Sequence, residues 1–279
     1  MTAKYKVGLI VGYGLDDMDI ITNPMPRPVT TIFGNPSSSL IECRIQGVEC
    51  AIMPRDSVSP TVPPNLINYR ANIWALKEAG CTHVVDIVTA GSLKEEIKPG
   101  DLVVPDSFID LTNGRSHTFF DGQPGSPSGV LLCPMSPSVC ESLRKLIVDV
   151  GVTNGIECKD GGVGVTINGP RFSTKAESKM YQTFGGDFVN MAFASDAILS
   201  KEATMLYSCI ILIANYDSWK DGAKVNAKTI KKIKNANKEK IEKLIENVIK
   251  KIGEIDWDKE IENLKKETSQ GSSKCICKK

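Results

Sequence analysis

Histidine is nearly missing from this chain of 279 residues: there are two, His83 and His117. Neither forms a metal-ligand pair by spacing, so no metal site is expected. His83 reads as a turn residue between a helix and a strand. No charge sign dominates, with 34 Lys+Arg against 33 Asp+Glu and a net charge of +1. That excludes the basic surface excess of a nucleic-acid binder. No apolar run reaches membrane-spanning length. Met1–Lys6 leads straight into a short strand, without a signal-peptide pattern. No internal repeat is present. Nine cysteines are scattered through the chain rather than grouped as a disulfide framework. A reduced, cytoplasmic setting is therefore expected. Cys275-Ile-Cys277 is the only pair close in sequence; it reads as a solvated tail, with redox or lipid chemistry as the alternative.

What is present suits a soluble α/β protein. The chain is 41% hydrophobic and 24% charged, and long enough for one large core. Residues 1–268 are expected to form a single domain, with Ser269–Lys279 as a disordered tail. The most informative stretch is Thr166–Ser178. The apolar run Val163 to Ile167 enters it like a buried strand, and Gly169-Pro170 breaks that strand. Ser173 or Thr174 can then cap a helix, with Glu177 as the capping-box partner. Such a turn presents Arg171, Phe172 and Ser173 at the carboxyl edge of a sheet, where open α/β sheets place small-molecule sites. An ordinary strand–helix connection has the same pattern.

The remaining elements follow from periodicity. Strands are expected at Lys6–Val11, Glu49–Met53, Val84–Val88, Leu102–Val104, Phe108–Leu111, Asp187–Met191 and Met205–Ala214. Helices are expected at Ile67–Ala79, Ser138–Val148, Thr174–Thr183, Ser195–Ala203 and Ala227–Lys251. Ile73 and Leu76 should face inward on the first helix, with Gly80 ending it. The lysines of the last helix read as a solvated face. Asn23–Pro28, Asn35–Ser39 and the proline-rich run after Arg55 read as loops. So does Thr112–Ser128, where the pair Phe119-Phe120 is expected to be exposed and to bury against a partner. Gly12-Tyr13-Gly14 after the first strand suits either a plain turn or an anion-binding one.

Several runs together resemble 5′-methylthioadenosine phosphorylase and the trimeric purine nucleoside phosphorylases. They are Thr166–Ser178, Asn68–Lys77, Cys81–Val84, Gly91–Asp101 and Tyr216–Lys220, colinear over roughly residues 5 to 265. The resemblance implies a three-layer α/β/α domain around a mixed sheet and a homotrimer. It implies no cofactor, with phosphate as co-substrate. It places Asn215 against purine N7 and the six-substituent, supported by Asp217, with Phe172 and Ser173 also on the base. Asn190-Met191 lies under the ribose, and Ala90 at the base and ribose side. Thr229 and Ile233 cover the sugar 5′ group, and a neighbouring subunit lends Leu132, where the family commonly has histidine. Aspartate is usual at position 215 in methylthioadenosine enzymes. Asparagine suits 6-oxopurines, because its NH₂ can donate to O6 or N7.

The phosphate half departs from the pattern. Around Gly12, Tyr13 replaces a small hydroxyl residue and Val11 a glycine. Arg55 is retained, for which a surface ion pair is the competing reading. Asp56 and Pro60 replace two histidines. Val88 and Ala192 stand at hydroxyl positions, while Thr89 offers a hydroxyl one position late. A hydrogen bond to a charged group contributes roughly 1.5–3 kcal/mol, so losing several should weaken phosphate handling by at least about 5 kcal/mol. The expected function is phosphorolysis of a purine (methylthio)nucleoside with impaired phosphate use. One alternative is an inactive paralogue that binds a purine nucleoside or partners an active subunit. Another is a nucleoside hydrolase in which Asp56 activates water.

Overall fold

The computed structural model describes residues 4–12, 18–56, 62–223 and 225–270. The chain runs through β1 (Lys6–Val11), β2 (Thr22–Arg27), β3 (Leu40–Ile45), β4 (Val48–Pro54), α1 (Tyr69–Glu78) and β5 (His83–Ser92). It continues through β6 (Leu102–Val104), β7 (Ser107–Asp110), α2 (Glu141–Thr153), β8 (Cys158–Asp160), β9 (Val163–Thr166) and α3 (Lys175–Thr183). It closes with β10 (Phe188–Asn190), α4 (Phe193–Glu202), β11 (Leu206–Tyr216), α5 (Ala227–Glu254) and α6 (Asp258–Gln270).

The strands form one mixed sheet in the order β2-β3-β4-β1-β5-β10-β9-β7, with β11, β6 and β8 branching from β5. One edge of β5 is covered along its length by β11, from Leu206 opposite His83 to Tyr216 opposite Ser92. The other edge changes partner. Parallel β1 pairs with His83–Ile87, and antiparallel β10 then takes Gly91 and Ser92. Residues 88–90 fall in the opening between those two neighbours. A crevice beside a strand whose partners diverge is where open α/β sheets bind ligands.

Helices cover both faces, giving the three-layer α/β/α architecture. One face buries Leu143 and Ile147 of α2, and Ile241, Leu244, Val248 and Ile252 of α5, against Val7, Leu9 and Ile210. The other packs Ile73 and Leu76 of α1, and Phe193 and Ala197 of α4, against Ile10, Met53 and Val84. Gly80 ends α1 with φ +83, a left-handed conformation that disfavours other residues. The capping box of α3 forms as its sequence dictates. Thr174 accepts from the Glu177 backbone at 3.1 Å, and Glu177 accepts from the Thr174 backbone at 2.8 Å.

Three expectations need correction. Asn23–Pro28 is not a loop, because Thr22–Arg27 pairs with β3 as the exposed edge strand. An edge tolerates Pro24 and Pro26, since a missing N–H can face outward. Phe119 is not exposed but buried, packed 5.1 Å from Phe33 and 4.9 Å from Trp74 between ring centroids. His83 is no turn residue; it opens β5 fully buried, and burial pushes its pKa down to about 3. The helix α6, which the sequence periodicity does not mark, runs through Gln270, past Ser269. Cys275 and Cys277 lie outside the described residues.

Trp257 joins the two ends of the chain. Its indole N–H donates to the Ile252 carbonyl at 3.1 Å, its backbone N–H to the Tyr5 hydroxyl at 2.8 Å, and its ring meets His83 at 4.9 Å. Trp257→Ala should cost about 3–5 kcal/mol, the range for deleting a buried aromatic. Urea unfolding should show that loss as a lower midpoint.

Candidate active site

A cavity of about 250 Å³ opens at the partner change of β5. Its wall is built by strand ends: residues 87–91 of β5, Val189–Ala192 at the end of β10, Ile167 after β9, and Asn215 and Asp217 at the end of β11. Gly12 and Arg55 come from the ends of β1 and β4, and Ile230 and Lys234 from α5. A register irregularity between Ile213 and Asn215 turns the end of β11 inward.

The half nearest Asn215 is held by hydrogen bonds between α3 and the β11 end. Ser218 Oγ donates to the Ser173 carbonyl at 2.7 Å, and the Trp219 backbone N–H donates to Ser178 Oγ at 3.1 Å. Trp219 Nε1 donates to the Ser92 carbonyl at 2.8 Å. These fix Ser173, Asn215 and Asp217 around one space. Ser173 Oγ and Asp217 Oδ2 are buried there with no hydrogen bond of good geometry to the described residues, although the Ser173 hydroxyl lies near enough to help draw the Asp217 carboxyl down. Buried polar atoms in that state favour a ligand that completes them. Burial raises the Asp217 carboxyl above the usual carboxylate range, with the Ser178 hydroxyl pulling the other way. Asn215 Nδ2 donates to the Tyr216 carbonyl at 2.7 Å, leaving one N–H and its carbonyl oxygen for other partners. Phe172 is half-exposed on the cavity rim. Arg171 does not enter; it makes a two-pronged pair with Glu177 at 2.7 and 2.8 Å.

The floor is Met191. Gly169 has φ +66, and a Cβ there would lie 2.4 Å from Met191 Sδ, so only glycine fits. The Tyr69 hydroxyl donates to the Met191 carbonyl at 3.0 Å. Asn190 lines the cavity, but its side chain works inward. Its Oδ1 accepts from the backbone N–H groups of Ala192 at 3.0 Å and Phe193 at 2.9 Å, and its Nδ2 donates to the Val165 carbonyl at 3.2 Å. Asn190 thus satisfies the start of α4.

The opposite half is crowded with charge. Around Gly12, the point a Cβ would occupy lies 3.2 Å from Asp56 Oδ2, 3.9 Å from Arg55 Nη1 and 3.9 Å from Lys234 Nζ. Arg55 is not in a surface pair. It is buried, with Nη2 donating to Asp86, Nε to Asp196 at 3.1 Å and Nη1 to the Ile87 carbonyl at 3.4 Å. The Tyr207 hydroxyl donates to Asp86 at 2.8 Å. Burial opposes the charge on Arg55, but Asp86 and Asp196 outweigh it and hold the guanidinium charged. Burial also raises both carboxyls, Asp196 to about 8, with Arg55 pulling them down. Arg55 is shared between two buried carboxyls, with Arg115 adding a weaker pull on Asp196, so burial favours a proton on one of them.

Sequence reasoning located most of this wall. Ala90, Val88, Thr89, Phe172, Ser173, Asn190, Met191, Ala192, Asn215, Asp217, Gly12, Arg55 and Asp56 all line the cavity. Tyr13 and Pro60 lie outside the described residues. Thr229 and Ile233 are not on the wall; the α5 residues there are Ile230 and Lys234, while Ile233 packs toward the core. Leu132 stands apart, exposed on a surface groove with Val130 and Ile198. Missed in the sequence were Tyr69, Asp86 and Lys234. Asp86 carried a signal, as a lone acid inside a buried strand; Lys234 was hidden among the lysines of α5.

The model of the phosphorylase superfamily matches residues 6–250. The S-methyl-5′-thioadenosine phosphorylase of Anopheles gambiae is 44% identical over 95% of this chain and 96% of its own length. That of Aedes aegypti is 43% identical over 98% of both. The chain belongs to the S-methyl-5′-thioadenosine phosphorylase family, within the phosphorylase superfamily. Solved structures agree. Methylthioadenosine phosphorylase from Schistosoma mansoni, in complex with adenine, has a TM-score of 0.93 at 35% identity, covering 97% of this chain and 100% of that one. A mutant of the adenosine/methylthioadenosine phosphorylase from that organism, in complex with methylthioadenosine, also scores 0.93 at 35% identity, over 98% and 100%. Within this family member, the acid-flanked Arg55 carries a measurable pH signature. A carboxyl whose folded pKa is raised binds a proton more tightly when folded, so stability is greatest at low pH and falls as pH rises through the folded pKa. The Asp196 contribution to thermal stability should therefore decline between about pH 4 and pH 8, the range from the ordinary carboxylate value to its own, while buried His83, at about 3, contributes in the opposite direction below about pH 6.5. Asp196→Asn should flatten that decline in calorimetric scans across the range, and an unchanged slope would count against the shared proton.

Proposed function

We propose that the protein cleaves the N-glycosidic bond of a purine nucleoside of the methylthioadenosine type, with phosphate as co-substrate and no other cofactor, and that its use of phosphate is impaired. The observation that carries this reading is the base-side half: Ser173 Oγ and Asp217 Oδ2, buried with no hydrogen bond of good geometry to the described residues, beside Asn215. A purine edge offers donors and acceptors to such a set. As the glycosidic bond breaks, negative charge develops on the purine, and a hydrogen bond or proton at N7 stabilises it. Asn215 supplies the donor. Asp217, its carboxyl raised by burial, holds a proton more readily than an exposed acid. Met191 lies under the sugar, so the ribose is fixed while its anomeric carbon becomes cation-like. Phosphate then has to approach from the Gly12 side.

Support for impairment comes from that side. Val88 and Ala192 offer no hydroxyl, Asp56 opposes an anion, and the Arg55 guanidinium is engaged by Asp86 and Asp196. Lys234 brings a cation to the same place. The engaged Arg55 also favours a second reading, in which the protein binds a purine nucleoside without turning it over. A homotrimer is part of the proposal, because Leu132 can reach a nucleoside only in a neighbouring subunit's cavity.

Two experiments test this. Free base is followed after incubation with methylthioadenosine, inosine and adenosine, with and without phosphate. Phosphate-dependent release is expected. Release without phosphate would point to water as nucleophile with Asp56 as base, and tight binding without release to the second reading. Restoring the anion side together, with Tyr13→Thr, Asp56→His, Val88→Thr and Ala192→Thr, should raise phosphorolysis by at least about tenfold, since about 1.4 kcal/mol of recovered binding suffices. Separately, Asn215→Ala should weaken purine binding by roughly tenfold or more in calorimetric titration, the loss of one hydrogen bond of about 1.5 kcal/mol; unchanged affinity would remove Asn215 from the base contacts.

A further inference from the structure

The cysteines scattered in sequence include a pair that the fold brings face to face. Cys43 on β3 stands directly opposite Cys50 on β4, and both side chains enter the same core cluster. The hairpin between them turns on Gln46, φ 50, and Gly47, φ 78, with Ile45 opposite Val48. A two-residue turn with both φ positive closes on a pair that exchanges backbone hydrogen bonds. Two steps further, the alternation puts Cys43 and Cys50 at another such pair, where Cα atoms lie about 5.5 Å apart. Disulfides span that separation. The Cys50 thiol donates to the Val48 carbonyl at 3.6 Å. A surface crevice reaches both, between Lys6, Asn23, Met25 and Glu49.

The two sulfurs are chemically unequal. The neighbouring Cys50 thiol draws the Cys43 pKa down, against burial and with help from the Lys6 ammonium. The Cys43 neighbour and burial hold Cys50 well above the ordinary thiol value. Cys43 is also the less buried, at 7% against 0%. A thiolate-prone sulfur beside a resolving thiol is the arrangement that two-step oxidation requires.

We propose that Cys43 and Cys50 form a reversible oxidation site that peroxide closes into a disulfide across the β3–β4 hairpin. The Cys43 thiolate attacks one oxygen of hydrogen peroxide. The O–O bond breaks, giving Cys43 sulfenic acid and hydroxide, which takes up a proton as the first water. Cys50 sulfur then attacks Cys43 sulfur; the S–O bond breaks, the Cys50 proton leaves with the oxygen as the second water, and the S–S bond forms. Two thiols lose two electrons, and peroxide is reduced to two waters. Directly opposed Cβ atoms at such a position are about 4.5–5.5 Å apart, wider than the roughly 3.8 Å of a relaxed disulfide. The bond therefore forms under strain and reopens readily with a thiol reductant. None of this rests on the activity proposed for the cavity.

The test uses the full chain, reduced and then exposed to hydrogen peroxide, blocked with iodoacetamide and digested with trypsin. Trypsin cuts after Arg44, so the bond joins two peptides that separate again after dithiothreitol. Joint loss of alkylation at Cys43 and Cys50, with appearance of the joined peptide, is the expected result. Full alkylation of both, a Cys43 sulfinic acid without the joined peptide, or a bond from either cysteine to Cys81 would overturn the proposal. In Cys50→Ser the sulfenic acid on Cys43 should accumulate and react with dimedone. Absence of that adduct in a folded Cys50→Ser protein would also overturn it, and the unmodified chain decides the matter if the variant does not fold.

Discussion

Everything functional in this molecule follows from the way β5 exchanges one hydrogen-bonding neighbour for another. A strand edge cannot serve parallel β1 and antiparallel β10 at the same residues. Backbone directions conflict, so β1 pairs as far as Ile87 and β10 only with Gly91 and Ser92. The opening lies over residues 88–90, and the ends of β1, β4, β9, β10 and β11 converge on it. The cavity is thus a topological necessity. Side chains decide only what it accepts.

The two ends of that cavity obey different physics. Toward Asn215, polar atoms are buried and incompletely satisfied, which rewards a flat ligand with complementary edges. Toward Gly12, formal charges face one another at close range. Arg55 is engaged by two buried carboxyls, and the low dielectric around them makes any further anion depend on what Lys234 and Asp56 do. A phosphorylase needs both ends, and the impairment proposed above concerns the Gly12 end alone.

The layered architecture and most strand and helix centres were legible because burial leaves a period in the sequence. The apolar runs of β1, β5 and β11 and the repeat of Ile241, Leu244, Val248 and Ile252 admit few other readings. The capping box at Thr174 was legible because its partners are three residues apart. Illegible features share a different property: their partners are distant in the chain. Pro24 and Pro26 suggest a loop until β3 is seen beside them. Asp86 looks like an interruption until Arg55 and Asp196 are placed around it. The residues of α5 facing the cavity turned on the helix phase, which counting placed one position early. Cys43 and Cys50 are neighbours only because a tight hairpin lies between them.

Gly169 shows how far such dependence reaches. The sulfur of Met191 fills the volume that any β-carbon at position 169 would need. In the nucleoside reading proposed above, the loop that carries Phe172 and Ser173 to the base is therefore wedged against Met191, the platform residue under the sugar. The recognition of base and of sugar cannot drift apart by small steps. A redesign of this loop for another base would have to rebuild the platform in the same move, so selectivity for the two halves of a nucleoside is inherited as one unit.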